Sequence, residues 1–152
     1  MADATDKDIR SAIKDVIKAL YPDAVVFQWN ALSHNLGEWP GMFRTETGTH
    51  GWIIKRGGVS GGWKNGQRDR KTFVYDIWGF YGYSSGKESE NSDDDFGAIL
   101  DAIYEALKEK PTLDLEGLDP HGLLQVAANT TIDTGEETLH FAQCRLEVKL
   151  CC

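Results

Sequence analysis

The segment "TFVYDIWGFYGYSSG", residues 72 to 86, constrains the fold of this chain more than any other part of it. Side chains alternate between the two faces of a β-strand. Residues 72–83, taken as a strand, carry apolar or aromatic side chains on both faces: Phe73, Tyr75, Ile77, Tyr81 and Tyr83 on one, and Val74, Trp78 and Phe80 on the other. A strand with one face in water would alternate apolar with polar residues, so we expect this strand to be covered on both sides.

Two segments have the periodicity of amphipathic helices. The first runs from Asp6 to Leu20, and Pro22 follows it, which favours a helix end because the residue before proline avoids helical angles. The second contains "FGAILDAIYEAL" and stops before Pro111. The three aspartates 93–95 are predicted to cap its start, where the helix macrodipole favours negative charge. The alternative reading of this acidic cluster is a site for a divalent cation.

The remaining apolar runs predict strands. They are residues 24–32, 42–48, 50–58, 72–83, 123–132 and 138–150, and the second and third are expected to form a hairpin around Gly48. The order is therefore helix, four strands, helix, two strands. We predict an α+β fold for residues 1–152 as a single domain, with a mostly antiparallel sheet and two helices on one face. Two helices leave the second face to folded-back loops or to another copy of the protein.

A glycine-rich loop is predicted for residues 57–70, "GGVSGGWKNGQRDR". Loops of this length are typically functional or disordered. This one concentrates positive charge in an acidic chain and places a tryptophan among glycines, which is typical of an interface anchor. We therefore predict interface residues here: Trp63, Lys64, Arg68 and Arg70. The alternative is a hairpin with Trp63 folded back on the sheet.

Charge and hydropathy narrow the classes of function. The formal net charge of −8 argues against tight binding of nucleic acid, which depends on clustered lysine and arginine. A run of about 18 apolar residues is absent, so no membrane span is predicted. The N-terminus lacks the pattern of a secretory signal. The three cysteines, two of them adjacent at the C-terminal end, suit a reducing compartment, so we expect the cytoplasm or assembly from it.

The sequence contains neither a G-x-S-x-G elbow nor an H-E-x-x-H motif. The four histidines show no metal-ligand spacing with one another or with the cysteines, which favours structural or surface roles for them. The stretch "GGVSGGWKNG" resembles a phosphate-binding loop, but Asn65 stands where serine or threonine is needed and a strand follows where a helix is needed. The acidic stretch between Asp114 and Asp119 is interpreted as a solvated linker. We therefore predict no catalytic residue, cofactor or metal.

Several of these segments together resemble the phage tail terminator family, the tail-completion or minor tail proteins. The resemblance covers nearly the whole chain. It rests on the N-terminal helix followed by strands, on "WIIKR", on "DIWGFYGYSS" leading through a polar linker into "FGAILDAIYEAL", and on the closing strand "LHFAQCRLEVKL". The family has no invariant motif, and the likeness lies in the pattern as a whole.

The resemblance implies that the protein takes part in phage tail assembly and does not catalyse a reaction. Members form a homo-hexameric ring that stacks on the last ring of tail-tube protein, stops tube elongation and offers the surface to which the head docks through connector or neck proteins. A contractile tail would add sheath protein as a partner. DNA would pass through without tight binding, and the protein would reside in the virion at the head-proximal end of the tail. Ring neighbours would then cover the second face of the aromatic strand, which makes Trp78 and Phe80 interface candidates.

Two other functions compete with tail termination. The nearer one is another ring-forming connector, such as a head-completion or neck protein. The other is a small-ligand-binding module or an enzyme whose pocket is the aromatic face. That function needs convergent polar groups in a concavity, and among the inner positions of the strand only Asp76 is polar.

Overall fold

The computed structural model describes residues 4–29, 31–32, 35–46, 48–60, 63–64, 67–68, 72–82, 88–135 and 137–150. The helices are α1 (Asp6–Leu20), α2 (Trp39–Met42) and α3 (Glu88–Lys108). The strands are β1 (Val25–Phe27), β2 (Arg44–Thr45), β3 (Gly48–Ser60), β4 (Trp63–Lys64), β5 (Gln67–Arg68), β6 (Thr72–Gly82), β7 (Gln125–Asp133) and β8 (Thr138–Lys149).

One six-stranded sheet organises the chain. Its order is β1-β3-β6-β8-β7, with β2 paired to the start of β3. Each pairing is antiparallel except that between β1 and β3. The predicted α+β class, with a mostly antiparallel sheet, is therefore confirmed. The aromatic strand β6 lies at the centre of the sheet between β3 and β8.

The helices α1 and α3 cover one face of the sheet, called here the helix-covered face. The start of α1 is fixed by a capping box in which the Thr5 hydroxyl accepts from the Asp8 amide and the Asp8 carboxylate accepts from the Thr5 amide. The apolar stripes predicted for both helices are buried against the sheet: Ile9, Ile13, Val16 and Ile17 from α1, and Phe96, Ile99, Leu100, Ile103 and Leu107 from α3. The inward residues of β8, from Ala142 to Val148, complete this core.

The prediction that residues 93–95 cap the second helix is wrong, because α3 already begins at Glu88. The aspartates lie more than one turn inside the helix and are exposed. The strand predicted for residues 42–48 is also shorter than expected. Met42 ends α2, a helix favoured by Pro40 in its first turn, and only Arg44 and Thr45 pair with β3. The predicted hairpin between these strands is present, with Thr45 opposite Gly48.

The glycine-rich segment is less of a loop than predicted. Strand β3 continues to Ser60 because a bulge between Arg56 and Gly58 lets the pairing with β6 resume after one unpaired residue. A Cβ atom at Gly57 would lie 2.6 Å from Asp76 Oδ2, so a larger residue at the bulge would displace that carboxylate. Within the described residues beyond Ser60, β4 and β5 form a small two-stranded sheet.

The second face of the sheet is half covered by the chain itself. Residues from the segment 27–43 fold over it and pack on a cluster of buried side chains: Phe43, Ile53, Phe80, Leu139 and Phe141. The Phe43 ring stacks on the Phe80 ring at a centroid distance of 4.6 Å. Gly51 makes this possible, since a Cβ atom there would lie 1.9 Å from Phe43 Cδ1. The sequence left either a folded-back loop or another copy of the protein to cover this face. For this half of the face, a folded-back segment of the same chain is the cover.

Candidate interaction surface

The remaining half of the second face is open and polar. It is called here the open half, and its members are Lys55, Asp76, Trp78, Gln143, Arg145, Glu147 and Lys149. Strand register fixes their order, since Lys55 lies opposite Asp76 and Asp76 lies opposite Arg145. The alternation predicted for β8 puts its polar residues on this side, where they are exposed. The sheet thus changes from an apolar to a charged surface along the length of β6.

Opposite charges and one tryptophan meet in the open half. Arg145 Nε lies 3.6 Å from Asp76 Oδ1, and Lys55 Nζ lies 4.1 Å from the centre of the Trp78 ring. The Arg145 side chain is 56% exposed and that of Asp76 is 20% exposed. Pairs as accessible as this add little to stability. Arginine and tryptophan are, however, both enriched at protein interfaces.

One small concavity lies in the open half. Its volume is about 130 Å³, and it is lined by Asp76, Trp78, Ala127, Gln143, Cys144 and Arg145. Pockets for small ligands typically measure about 300 to 1,000 Å³. A concavity of this size holds a side chain of a protein partner better than a typical small-molecule ligand.

The interface residues predicted from the sequence are distributed over three environments. Trp63 pairs with Arg68 across β4 and β5, and Lys64 pairs with Gln67, so these residues share one small sheet. Their side chains, and all of Arg70, lie outside the described residues. Trp78 belongs to the open half. Phe80 is fully buried, so its prediction as an interface residue is wrong: the rings of Phe43 and Phe141 cover it within the chain.

Two of the histidines are held inside the chain. His50 Nε2 accepts a hydrogen bond of 2.9 Å from Trp52 Nε1, and burial lowers the pKa of His50 to about 4. His140 is 2% exposed, and its Nε2 lies 2.9 Å from Ser92 Oγ. Burial lowers the pKa of His140 as well, although the charge of Asp93 opposes the shift. Both rings are therefore neutral at pH 7. His121 lies near the surface, with its ring nitrogens within hydrogen-bond distance of the carbonyls of Lys110 and Gly122. His34 lies outside the described residues.

Sequence reasoning missed the meeting of a serine, a histidine and an aspartate. Ser92 and Asp93 on α3 flank His140 on β8, and 48 residues separate Ser92 from His140. No motif links positions so far apart. A catalytic triad needs an accessible hydroxyl and a hydrogen-bonded carboxylate. Ser92 is only 5% exposed, and His140 Nδ1 lies 3.9 Å from Asp93 Oδ1, which is too long for a hydrogen bond. The arrangement anchors α3 to the sheet.

No protein-family model matches the chain, and no curated protein does. Within the described ranges, no helix is both long and apolar enough to cross a bilayer. Among the same residues, no three histidine, cysteine, aspartate or glutamate side chains are grouped so that they would hold a metal ion.

Proposed function

We propose that this chain is a structural phage protein that caps the head-proximal end of a tail tube as a ring. In this role it stops tube elongation and offers the docking surface for the head. Its partners are other copies of itself, the tail-tube protein and the connector or neck proteins of the head. The protein would act in the assembled phage particle, in line with the resemblance of its sequence to tail terminators.

The open half of the sheet carries the proposal. The chain covers one face with two helices and half of the second face with the segment 27–43, but leaves Trp78 beside a row of charges. Trp78 packs on Phe141 at the border of the buried cluster and stays half-buried, a position from which its ring is able to contact a partner. A protein that stacks on a ring of identical subunits needs a flat surface of mixed charge, because such surfaces give specificity through complementary pairs.

The acidic balance of the chain fits the same role. A net charge of −8 reduces attraction to the phosphates of DNA that slides past the ring. The Arg145 side chain pairs with Asp76 but is 56% exposed, so it is also accessible to a carboxylate of a protein partner, to which arginine binds well. A head-completion or neck protein, the other ring-forming candidate, would use the same kind of surface. The two candidates differ in whether the protein binds tails or heads.

The test uses the phage whose genome encodes this chain, with the reading frame interrupted by an amber codon. In a non-suppressing host, electron microscopy is expected to show tails of abnormal length that do not join heads, and a six-fold ring in end-on views of complemented particles. Purified protein labelled with gold should bind isolated tails and not isolated heads. Tails of normal length that mature into infectious particles would refute the capping role, and binding to heads alone would favour the neck function.

A pair of matched variants tests the open half in the same complementation. Changing both Lys55 and Arg145 to Ser removes its two cations nearest to Asp76, and we expect at least a tenfold loss of infectious particles. Changing Lys7 and Lys108 to Ser removes the same charge from exposed positions on α1 and α3 and should complement fully. Circular dichroism of all variants checks that they fold. Equal complementation by the two variants would show that the open half is not the docking surface.

A further inference from the structure

Strand β7 forms the one long edge of the sheet that the described residues leave free. It is nine residues long, and no described strand pairs with its outer side. The opposite edge, β1, has only three residues, and side chains of α1 occupy it. Arg10 donates to the carbonyl of Gln28, and Lys18 donates to that of Ala24. Pairing with a further strand is therefore much more open to β7 than to β1.

The β7 edge lacks most of the features that prevent strands from pairing. Proteins usually blunt an exposed edge with charged side chains, proline or a bulge. From Gln125 to Ile132 the strand has neither a charge nor a proline, in a chain whose net charge is −8. A bulge between Val126 and Ala128 disturbs its first part, and residues 128–133 then pair with β8 in unbroken register. This regular run leaves an edge that another strand is able to use.

The centre of this run is accessible on both faces of the sheet. By register, Asn129 and Thr131 lie on the helix-covered face and Thr130 lies on the second face, and all three are exposed. Ala128 and Ile132 share the face of Thr130 and are half-buried, and Ile132 packs on the buried cluster of that face. Neither the helices nor the segment 27–43 covers the three central positions, so a strand added here meets no layer of the same chain.

The run is self-complementary in antiparallel pairing about a two-fold axis at Thr130. This register places Asn129 opposite Thr131 of the second copy, where an amide and a hydroxyl are able to form a hydrogen bond. On the other face it places Thr130 opposite its own counterpart, a favourable cross-strand pair. Ala128 then lies opposite Ile132 of the second copy, which extends the apolar surface at the edge of the buried cluster. Each of the five positions thus meets a suitable partner.

We propose that two copies of this chain pair through β7 in the free protein, with the strands antiparallel and centred on Thr130. The two Asp133 carboxylates lie outside the five-residue overlap, at its opposite ends, so like charges do not meet. The contact uses the same patch on both copies and stops at a dimer. The overlap is small beside a standard interface of about 1,600 Å², so the dimer is weak and in exchange. A two-fold contact does not by itself close a ring, and the proposal does not depend on the capping role.

Disulfide trapping tests the pairing. The background chain carries Cys151→Ser and Cys152→Ser and retains the buried Cys144. Residues directly opposite each other in an antiparallel pair have Cα atoms about 4.5 to 5.5 Å apart, which is within the range for a disulfide. Thr130→Cys in this background should therefore give a disulfide-linked dimer on mild oxidation. Absence of this dimer would overturn the proposal.

The neighbouring positions check the register. Asn129→Cys and Thr131→Cys should each give little dimer alone, because each lies opposite the other position and not opposite itself. An equal mixture of these two chains should give at least tenfold more dimer than either chain. Efficient dimers from Thr131→Cys alone would contradict the axis at Thr130.

Sedimentation equilibrium measures the association without a cross-link. Thr130→Lys places two lysines opposite each other at the axis, so we expect the dimer to weaken at least tenfold. Ala98→Lys adds the same charge at an exposed position on α3 and should leave the dimer unchanged. Circular dichroism checks that both variants fold. Equal association of the two variants would refute the pairing, and so would a Thr130→Lys protein that self-associates normally but no longer binds tails, since β7 would then receive another protein.

Discussion

The fit of Trp52 over Gly79 yields the sharpest prediction about stability. Gly79 lies at the centre of β6, opposite Trp52 on β3 and Ala142 on β8. The Trp52 side chain crosses the glycine and is fully buried, with the Phe96 ring of α3 6.3 Å away between centroids. A Cβ atom at Gly79 would lie 2.5 Å from both Cη2 and Cζ3 of Trp52. The change Gly79→Ala therefore forces the indole ring or the strand to move.

The expected loss of stability in Gly79→Ala follows from the distance between the new Cβ atom and the Trp52 ring. Carbon atoms pack best at about 3.5 to 4.0 Å, so the ring must shift by roughly 1 Å inside a full core. Overpacking of this kind costs about 1 to 3 kcal/mol, and we expect the upper end because the ring has no exposed side to move toward. Alanine regains about 0.5 to 1 kcal/mol by its lower backbone entropy. The net loss is about 2 kcal/mol, which lowers Tm by roughly 4 to 8 °C in a chain of this size.

Urea unfolding followed by circular dichroism measures the loss. The control is Gly82→Ala in the same strand, where the nearest atoms to a new Cβ lie 3.8 Å away, and this variant should match or exceed the wild-type stability. Adding Trp52→Phe removes the clashing six-membered ring. In that background, Gly79→Ala should cost less than about 0.5 kcal/mol, a coupling that a double-mutant cycle detects. Equal stability of Gly79→Ala and Gly82→Ala, or additive losses, would refute the packing argument.

Two predictions concern buried titratable groups. The folded-state pKa of His50 is about 4, below the unfolded value of 6.5, so the unfolded chain binds the proton first and stability is lost as pH falls from 6.5 toward 4. Between pH 7.5 and pH 5 the free energy of unfolding should fall by about 2 kcal/mol because of His50, and this contribution should be absent in His50→Gln. Urea unfolding at each pH measures the difference. Equal losses in the wild-type protein and in His50→Gln would contradict the prediction. Burial raises the pKa of Cys144 to about 12, so with Cys151 and Cys152 changed to Ser, maleimide should label the chain at pH 8 only under unfolding conditions. Rapid labelling of the native protein would show that the thiol is accessible.

The elements that depend on local periodicity were predictable from the sequence. Patterns that extend over a few turns or residue pairs predict the apolar stripes of α1 and α3, the alternation of β8 and the two apolar faces of β6. Periodicity is a property of neighbouring residues, so it survives without knowledge of the rest of the chain. It was enough to place β6 inside the sheet and the helices on one face, and hence to predict the class of the fold.

The tertiary structure alone decided what covers the second face and which surfaces stay open. Phe43 reaches Phe80 because Gly51 leaves room for its ring, and Ser92 meets His140 across a gap of 48 residues. At the bulge that extends β3 into the predicted loop, Gly57 lies against the Asp76 side chain of another strand. These features arise from contacts between residues far apart in the sequence. No sequence periodicity marks such contacts, so they cannot be predicted from the local pattern. Whether an apolar side chain such as Phe80 or Trp78 is buried or offered to a partner is therefore settled only when the chain has folded.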